Sequence, residues 1–409
     1  MNSTRISKKI LLIGFLNILI ALGFGRFLFP LAVSFFNNFY RFSFTQIGTL
    51  ASLILLGYLV FSYIGGLALY KFGYRILIIT ALEVLAIAFF LYFTVSNFYL
   101  LCFSSFLMGC CSAAIYISIF PISFDSFPTK AYGKNMGFML SGAGLGILAI
   151  SVFSEFVLQN KSTAFYIWGL AALLTLLISL LNFFFLPNSK PRFASNRNAN
   201  KVQQITAQWG KLFTVPLLRN ITLAYFFYGF AYASYLNYVL AYATDINYAY
   251  SVNLIWICFG SCSIISAILW GLLADNNNKK LKFVLFGNYV LTGIAIILPL
   301  VIPKLLYLYF SVSLFGLCFF GYITIVGGIV VKATQELSSV YMGKITLIHT
   351  IAQILSVFTG GVLRDYTGNF KLVFIFSFTS LLVSIFFFIL YFLNLIKGVR
   401  GFEKYYSYN

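Results

Sequence analysis

Charged residues are scarce in this chain, and acidic residues are almost absent. Only 9% of its 409 residues are charged, and 8 acids face 27 bases, which gives a net charge of +19. Apolar residues make up 61% of the chain. Soluble domains carry about 25% charged residues. The composition therefore excludes an ordinary soluble domain and favours a protein embedded in a membrane.

The residues that hold metals or catalyse hydrolysis are also few. The chain has 1 His and 6 Cys, and the cysteines lie in apolar stretches without zinc or haem spacing. No glycine-rich phosphate loop stands in a polar stretch long enough to bind ATP, and no Ser, His and acid arrangement suits a membrane hydrolase. We therefore expect no metal, no cofactor and no enzyme activity. The cysteines, expected to be free, are Cys102, Cys110, Cys111, Cys258, Cys262 and Cys318.

The basic residues lie between apolar runs rather than in a polar basic arm. Such placement is typical of orientation signals in membrane proteins, and it argues against nucleic acid as a partner. The runs are long enough to cross a bilayer, which takes roughly 20 residues. The first run is too long for the core of a cleaved signal peptide. Twelve spans are predicted: 10–36, 45–69, 75–95, 99–122, 135–158, 163–186, 217–243, 251–274, 283–302, 304–331, 343–363 and 370–396.

The distribution of Lys and Arg predicts how these spans are oriented. With the amino terminus in the cytoplasm, 21 of the 27 bases fall on the cytoplasmic side and 5 on the outer side, with Arg26 in the membrane, as the positive-inside rule predicts. We therefore predict an all-α integral membrane protein with twelve transmembrane helices and both termini in the cytoplasm. The few outer bases are then Arg41, Lys161, Lys304, Arg364 and Lys371.

A polar gap divides the spans into six and six. The stretch 187–216 is rich in Asn, Ser, Lys and Pro, which is typical of a solvated linker. It is predicted to be cytoplasmic and to join two six-helix bundles, 1–186 and 217–409. Within it, residues 203–213 carry apolar side chains at helical spacing, which predicts a short helix on the inner membrane surface.

The two halves carry similar loops after the second and the eighth span. Each loop begins with Gly-Leu and contains bases a few residues later. Internal repetition of this kind is how many transporters are built, with the substrate bound near the midplane between the repeats. The loop residues are Gly66, Lys71, Gly73, Arg75, Gly271 and Asp275.

Six plus six spans with these loops resemble the major facilitator superfamily over nearly the whole chain. The Gly-Phe-Gly-Arg-Phe segment from Gly23, and the segment Gly360 to Gly368, are similar to the YbfB/YjiJ branch. The resemblance implies a monomeric transporter in a bacterial inner membrane. It further implies that a small organic solute moves by alternating access, coupled to protons, and that spans one, four, seven and ten line the cavity.

The first half departs from the superfamily pattern. Tyr70 stands where the loop motif has an acid, and Ser105 stands where many members have an Arg in span four. A second interpretation therefore stays open, in which a transporter-like sensor or assembly protein binds a ligand without moving it. Direction is open as well, and efflux of drugs or metabolites is the alternative to uptake.

Arg26 is the one charged residue deep inside the first apolar run. A guanidinium keeps its proton, and burying it among lipid tails is costly. It therefore needs a watery cavity, an internal partner or a bound anion. We predict that Arg26 binds an anionic group of the solute. The alternative is that it fixes helix packing through carbonyl groups and tyrosine hydroxyls.

Six tyrosines share one face of the seventh span. Their spacing of three and four residues places them within about 140° of arc around the helix. The resemblance turns this face toward the cavity, so Tyr228, Tyr232 and Tyr235 are predicted to contact the solute. An aromatic-rich composition and tyrosines at the membrane interface also explain such a stripe. The full set is Tyr225, Tyr228, Tyr232, Tyr235, Tyr238 and Tyr242.

Glu83 and His349 are the candidates for proton coupling. Glu83 is the one acid well inside a span, and intramembrane acids often carry protons in pumps and transporters. His349 is the second candidate, because imidazole titrates near physiological pH. For both residues the alternative is a neutral side chain that hydrogen-bonds to a neighbouring helix.

The bases of the first loop are predicted to stabilise the conformation in which the inner side is closed. Lys71 and Arg75 are placed to pair with Asp125 at the inner end of the fourth span, which would hold the inner side closed. Their alternative role is that of orientation charges.

Overall fold

The computed structural model describes residues 2–126, 132–157, 165–186, 209–246, 252–276, 281–334 and 338–396, and helices account for nearly all of them. The helices are α1 (Asn2–Ile18), α2 (Gly25–Tyr40), α3 (Phe44–Phe72), α4 (Tyr74–Thr94), α5 (Phe98–Ser126), α6 (Tyr132–Val157), α7 (Tyr166–Phe185), α8 (Gly210–Thr214), α9 (Pro216–Asp245), α10 (Val252–Asn276), α11 (Leu281–Val301), α12 (Leu305–Thr334), α13 (Ser338–Thr367) and α14 (Lys371–Ile396).

Among the described residues, 11 helical segments are long and apolar enough to cross a membrane. Their outward faces carry large apolar side chains, such as Leu173, Leu177 and Leu180 of α7, each about half exposed. Helix α9 has 30 residues and coincides with the predicted seventh span, but it is not among the 11. Its tyrosines make it less apolar than its neighbours.

Short sequence signals set the ends of the helices that frame the site. Ser43 begins α3 with a capping box, because its Oγ accepts from the Gln46 backbone at 3.1 Å while the Gln46 side chain accepts from the Ser43 backbone at 2.9 Å. Gly73 ends α3 with a φ of 81°, a left-handed conformation that favours glycine, and α4 starts at the next residue. The capping box thus fixes where α3 begins, and Gly73 makes the turn between α3 and α4.

The first span is a rod in which two α-helices are joined by a π-helical turn. This turn, Leu19–Phe24, lies between α1 and α2, and most of its side chains are buried. A π-helical turn inside an α-helix is uncommon and often lies at a functional site. Here it ends two residues before Arg26.

Each half of the chain packs mainly on itself. Helices α3 and α5, and α4 and α7, are in close contact in the first half, as are α10 and α12, and α9 and α14, in the second. The halves meet where α3 packs on α13 and where α6 packs on α10. These pairs flank a central region in which α2 contacts α9, and the candidate site lies there.

Part of the predicted linker helix is present as α8. Residues 203–208 lie outside the described part of the chain, and residues 210–213 of the predicted helix belong to the observed helix Gly210–Thr214. Trp209, just before it, lies under Lys344 of α13, whose Nζ is 5.3 Å from the indole ring. The linker is therefore attached to the end of α13 where that helix begins.

Candidate functional site

The backbone just before Arg26 is packed tightly against the first half. A Cβ on Gly23 would lie 2.7 Å from the Cα of Gly146 in α6. A Cβ on Gly25 would overlap the hydroxyl of Ser112 in α5. Real Cβ atoms essentially never come closer than 3.0 Å, so Gly23, which meets backbone, requires glycine, whereas a Cβ on Gly25 would require the Ser112 hydroxyl to turn away. This packing anchors α2 while the side chain of Arg26 reaches toward the second half.

The guanidinium of Arg26 connects the two halves without an acidic partner. Its Nη2 donates to the hydroxyl of Tyr232 in α9 at 2.9 Å and to Oε1 of Gln353 in α13. Among the described residues, no carboxylate lies within ion-pair distance of Arg26. Its Nε and Nη1 groups make no hydrogen bond to those residues. A half-buried positive charge therefore remains, with Nε and Nη1 available to a ligand.

A small cavity lies beside this guanidinium, between the two halves. It offers about 20 Å³ to the centre of a water molecule, which is room for little more than one water. One cation and three neutral polar side chains face it, and the remaining walls are apolar. The lining residues are Arg26, Phe27, Phe29, Pro30, Ala51, Ile54, Leu55, Tyr232, Ala233, Leu236, Asn237 and Gln353.

Of the three tyrosines predicted to contact a solute, the structure brings Tyr232 to the cavity. Tyr228 stacks on Tyr322 of α12, with ring centroids 3.5 Å apart, and its hydroxyl has no partner among the described residues. The hydroxyl of Tyr235 bonds to Ser311 of α12. Tyr228 and Tyr235 therefore tie α9 to α12 and do not line this cavity.

His349 lies directly behind Tyr232. Its ring stacks on Tyr225 at 3.8 Å and lies 5.6 Å from the Tyr232 ring, measured between centroids. Its Nδ1 is 2.7 Å from the carbonyl oxygen of Tyr225. A carbonyl only accepts, so Nδ1 carries the hydrogen and Nε2 holds a lone pair. That Nε2 is buried and has no partner among the described residues.

Glu83 lies away from this cluster. Its side chain is exposed on α4, a helix that packs against α5 and α7 on the flank of the first half. It is not part of the cavity lining. The structure therefore separates the two proton-coupling candidates, one at the outer surface of a helix and one beside the cavity.

The first motif loop is stabilised by contacts within its own half. Arg75 donates to the carbonyl oxygen of Phe183 at the end of α7, and its Cζ is 4.7 Å from the centre of that ring. Lys71 is exposed. The side chain of Asp125 lies outside the described part of the chain, so its pairing with either base stays a prediction. Outside it too are the surroundings of Gly66, Gly271 and Asp275.

At the predicted outer end, the two halves are joined by a group of residues that we call the outer clamp. Asp365 of α13 accepts from the backbone amides of Phe44 at 3.1 Å and Thr45 at 2.7 Å, the first residues of α3. Beside it, Arg364 pairs with Asp245 of α9 at 2.9 Å. The Cζ of Arg364 lies 4.8 Å from the Phe44 ring. These five residues close this end of the central region.

Sequence reasoning missed the partner of Arg26 and the outer clamp. Gln353 is a polar residue four positions after His349 in an apolar helix, which places both on one face. That spacing was the available signal, but it does not reveal the partner. Asp365 was visible only as part of a family-like segment, since its contacts at Phe44 and Thr45 lie more than 300 residues away in the chain.

Comparisons with known proteins agree with this architecture. The family model described as Major Facilitator Superfamily matches residues 14–357. The solved structure of a D-xylose-proton symporter superimposes with a TM-score of 0.72 and 14% sequence identity, covering 93% of this chain and 96% of that chain. No curated protein sequence matches significantly. At 14% identity the structural likeness concerns the fold alone.

Proposed function

Because this chain belongs to the major facilitator superfamily, we propose that it is a secondary active transporter that moves a small organic anion by alternating access. The observation that carries the proposal is Arg26, a permanent charge in the cavity between the halves without a carboxylate partner among the described residues. Family members are transporters, which supports transport rather than catalysis as the general function.

The proposed topology has twelve spans with both termini in the cytoplasm. It adds α9, the tyrosine-rich helix, to the 11 apolar segments. The proposal divides the chain into bundles 1–186 and 217–409, joined by the cytoplasmic linker 187–216. We further propose a monomer in a bacterial inner membrane. The YbfB/YjiJ branch, favoured by the segments around Gly23 and Gly360, belongs to this proposal as well.

An anionic group completes the site electrostatically. A buried cation is costly unless it is paired and hydrogen-bonded. Tyr232 and Gln353 supply two neutral acceptors to one nitrogen of Arg26, while Nε and Nη1 remain available. The planar guanidinium presents its donors in a fork that matches the two oxygens of a carboxylate. A bound carboxylate therefore supplies both the missing charge and the missing acceptors.

His349 is the proposed proton carrier. Its unpartnered Nε2 is the atom that would take the proton, and the charged or titratable groups that interact with His349 are Arg26, Tyr225 and Tyr232. Two positive charges this close repel in a medium of low dielectric constant. An anion on Arg26 removes that repulsion. Anion and proton then favour each other's binding.

This mutual dependence favours uptake over efflux. Ligands that strengthen each other's binding travel together, so an inward proton gradient drives the anion inward. The protein whose fold this chain shares is by its title a symporter of D-xylose and protons. For this chain both symport and uptake are proposals that rest on the geometry of Arg26 and His349.

Uptake by the purified protein in proteoliposomes tests the proposed function. An inward proton gradient is expected to accumulate radiolabelled organic acids in vesicles with the parent protein, and Arg26→Lys and Arg26→Gln are expected to abolish accumulation. Arg41→Gln, which removes an exposed base at the end of α2, is the matched control and should behave like the parent. Binding without accumulation would favour the sensor interpretation. Normal transport by a folded Arg26→Gln protein would contradict the anion site.

A further inference from the structure

We infer that the solute carries a single negative charge on an apolar body, as in a small monocarboxylate, and is not a sugar, an amino acid or a dicarboxylate. The inference rests on the proposed function, since it names the substrate class of the same site. It is carried by the balance of charged, polar and apolar groups that line the cavity.

The charge balance admits one negative charge. Among the described residues that line the cavity, Arg26 is the one ionic side chain. An amino acid would bring an ammonium group, and those lining residues include no acid to meet it. A dicarboxylate would bring a second carboxylate without a second cation. The nearest other buried base on α13 is Lys344, which lies nine residues before Gln353, roughly 13 Å along the helix.

The cavity offers too few hydrogen-bond acceptors for the hydroxyl hydrogens of a sugar. Besides Arg26, the polar lining consists of Tyr232, Asn237 and Gln353. Gln353 and Tyr232 already accept from Arg26, and the amide of Asn237 donates to the carbonyl oxygen of Ala233 at 2.8 Å. A sugar would bury several hydroxyls, and each one left without a partner weakens binding.

The other walls suit a short hydrocarbon group. Ile54 and Leu55 of α3, Leu236 of α9 and Phe27 of α2 are among the residues that line the cavity. Removing apolar surface from water is favourable in proportion to its area. A carboxylate on the free Nε and Nη1 of Arg26 therefore leaves its hydrocarbon part against these side chains. The cavity is small where the outer clamp closes the outer end, which limits the body to a few carbon atoms.

Four ligands of similar size separate the possible classes. Butyrate is the apolar monoanion, succinate the dianion, 4-aminobutyrate the zwitterion and xylose the neutral polyol. Thermal shift and equilibrium binding are measured with the purified full-length protein, because a ligand of the native state raises the melting temperature. Butyrate is expected to bind, and pentanoate about fourfold more tightly, as one added methylene group predicts. The other three ligands are expected to give no shift.

Two variants keep the inference open to refutation. Arg26→Gln should lose butyrate binding, with Arg41→Gln as the control. Ile54→Thr adds a hydroxyl to the wall but also shortens the side chain, so Ile54→Val is its size-matched control. Butyrate and pentanoate should bind more weakly to Ile54→Thr than to Ile54→Val while both proteins stay folded. Equal or better binding of succinate or 4-aminobutyrate, still dependent on Arg26, would overturn the substrate class and leave the anion transporter standing. Binding of xylose that ignores Arg26→Gln would overturn both, and a parent protein that binds no monoanion overturns the inference.

Discussion

Asp365 at the end of α13 caps the amino terminus of α3 through the backbone amide of Thr45, at 2.7 Å. The first amides of a helix have no partner inside the helix and carry partial positive charge. Here the capping carboxylate comes from the other half of the chain. The contact must therefore break whenever this end of the molecule opens, and it stabilises the closed arrangement.

Replacing Asp365 by Asn is expected to favour opening at the outer end. The substitution removes a charge–dipole interaction of about 0.3–1 kcal/mol, so the open population should rise roughly two- to fivefold. A cysteine introduced at Asn237, which lines the cavity, reports this opening in a protein whose native cysteines are replaced. Its labelling rate with a membrane-impermeant maleimide, added from outside, should increase by the same factor.

The control for the clamp is Asp365→Glu, which keeps the charge one methylene farther from the backbone and should label more slowly than Asp365→Asn. Asp245→Asn breaks the neighbouring ion pair with Arg364. Both side chains of that pair are partly exposed, so its loss should cost only about 0–1 kcal/mol. An Asp365→Asn protein that labels at the parent rate contradicts a role for the cap in closure.

A carboxylate built into the site should imitate the solute. In Gln353→Glu, the new side chain replaces the Oε1 that already accepts from Arg26, and it forms an internal ion pair. A hydrogen bond between charged groups contributes about 1.5–3 kcal/mol, so solute affinity should fall roughly ten- to hundredfold. The melting temperature should stay level or rise. Uptake and thermal denaturation measure the two effects.

Gln353→Met is the matched control for this variant, since it has a similar size and no charge. It leaves Arg26 with fewer acceptors and should keep or improve anion binding. If Gln353→Glu transports as well as the parent, the guanidinium is not where the solute binds, and its role is to hold α2, α9 and α13 together.

His349→Asn is expected to separate proton coupling from binding. The shorter amide can still donate to the carbonyl oxygen of Tyr225, as Nδ1 does now, but it offers no atom that accepts a proton. Accumulation driven by a pH gradient should therefore be lost, while exchange of labelled for unlabelled solute continues. Glu83→Gln, on the exposed side of α4, should change neither measurement. A reversed pattern would make Glu83 the proton carrier.

The orientation of the chain can be checked with fusion reporters. A reporter placed after Lys201 is expected to be active in the cytoplasm, because the linker carries a high share of the bases. A reporter after Lys161, between α6 and α7, should behave as external. A periplasmic signal after Lys201 would contradict the predicted arrangement.

The helices could be predicted from the sequence because their signal is local. An apolar run of sufficient length between basic residues defines each span, and the observed helices lie close to the predicted ranges. Helix α9 is the exception, because its tyrosines lower its mean hydropathy. Its helical spacing and its place in the six-plus-six pattern predict it as a span.

The site was only partly predictable, because its contacts join distant parts of the chain. Arg26 could be predicted as a site residue, because a permanent charge in an apolar run is costly unless it has a partner or a watery cavity. Which tyrosine contacts Arg26 depends on residues of α12. Tyr228 stacks on Tyr322 and Tyr235 bonds to Ser311, whereas Tyr232 accepts from the guanidinium. The position of Glu83 well inside a predicted span makes it a candidate for proton coupling. The side of α4 on which it lies, however, is set by packing against other helices.

The π-helical turn Leu19–Phe24 has a consequence for how this protein can change in evolution. A π turn holds one residue more than an α turn. Loss of one residue there restores α-geometry and keeps the faces of α1 and α2 as they are. Loss of a residue between that turn and Arg26 would instead rotate α2 relative to α1 by about 100°. The turn is therefore the stretch of this span where insertions and deletions can be absorbed while Arg26 stays opposite Gln353.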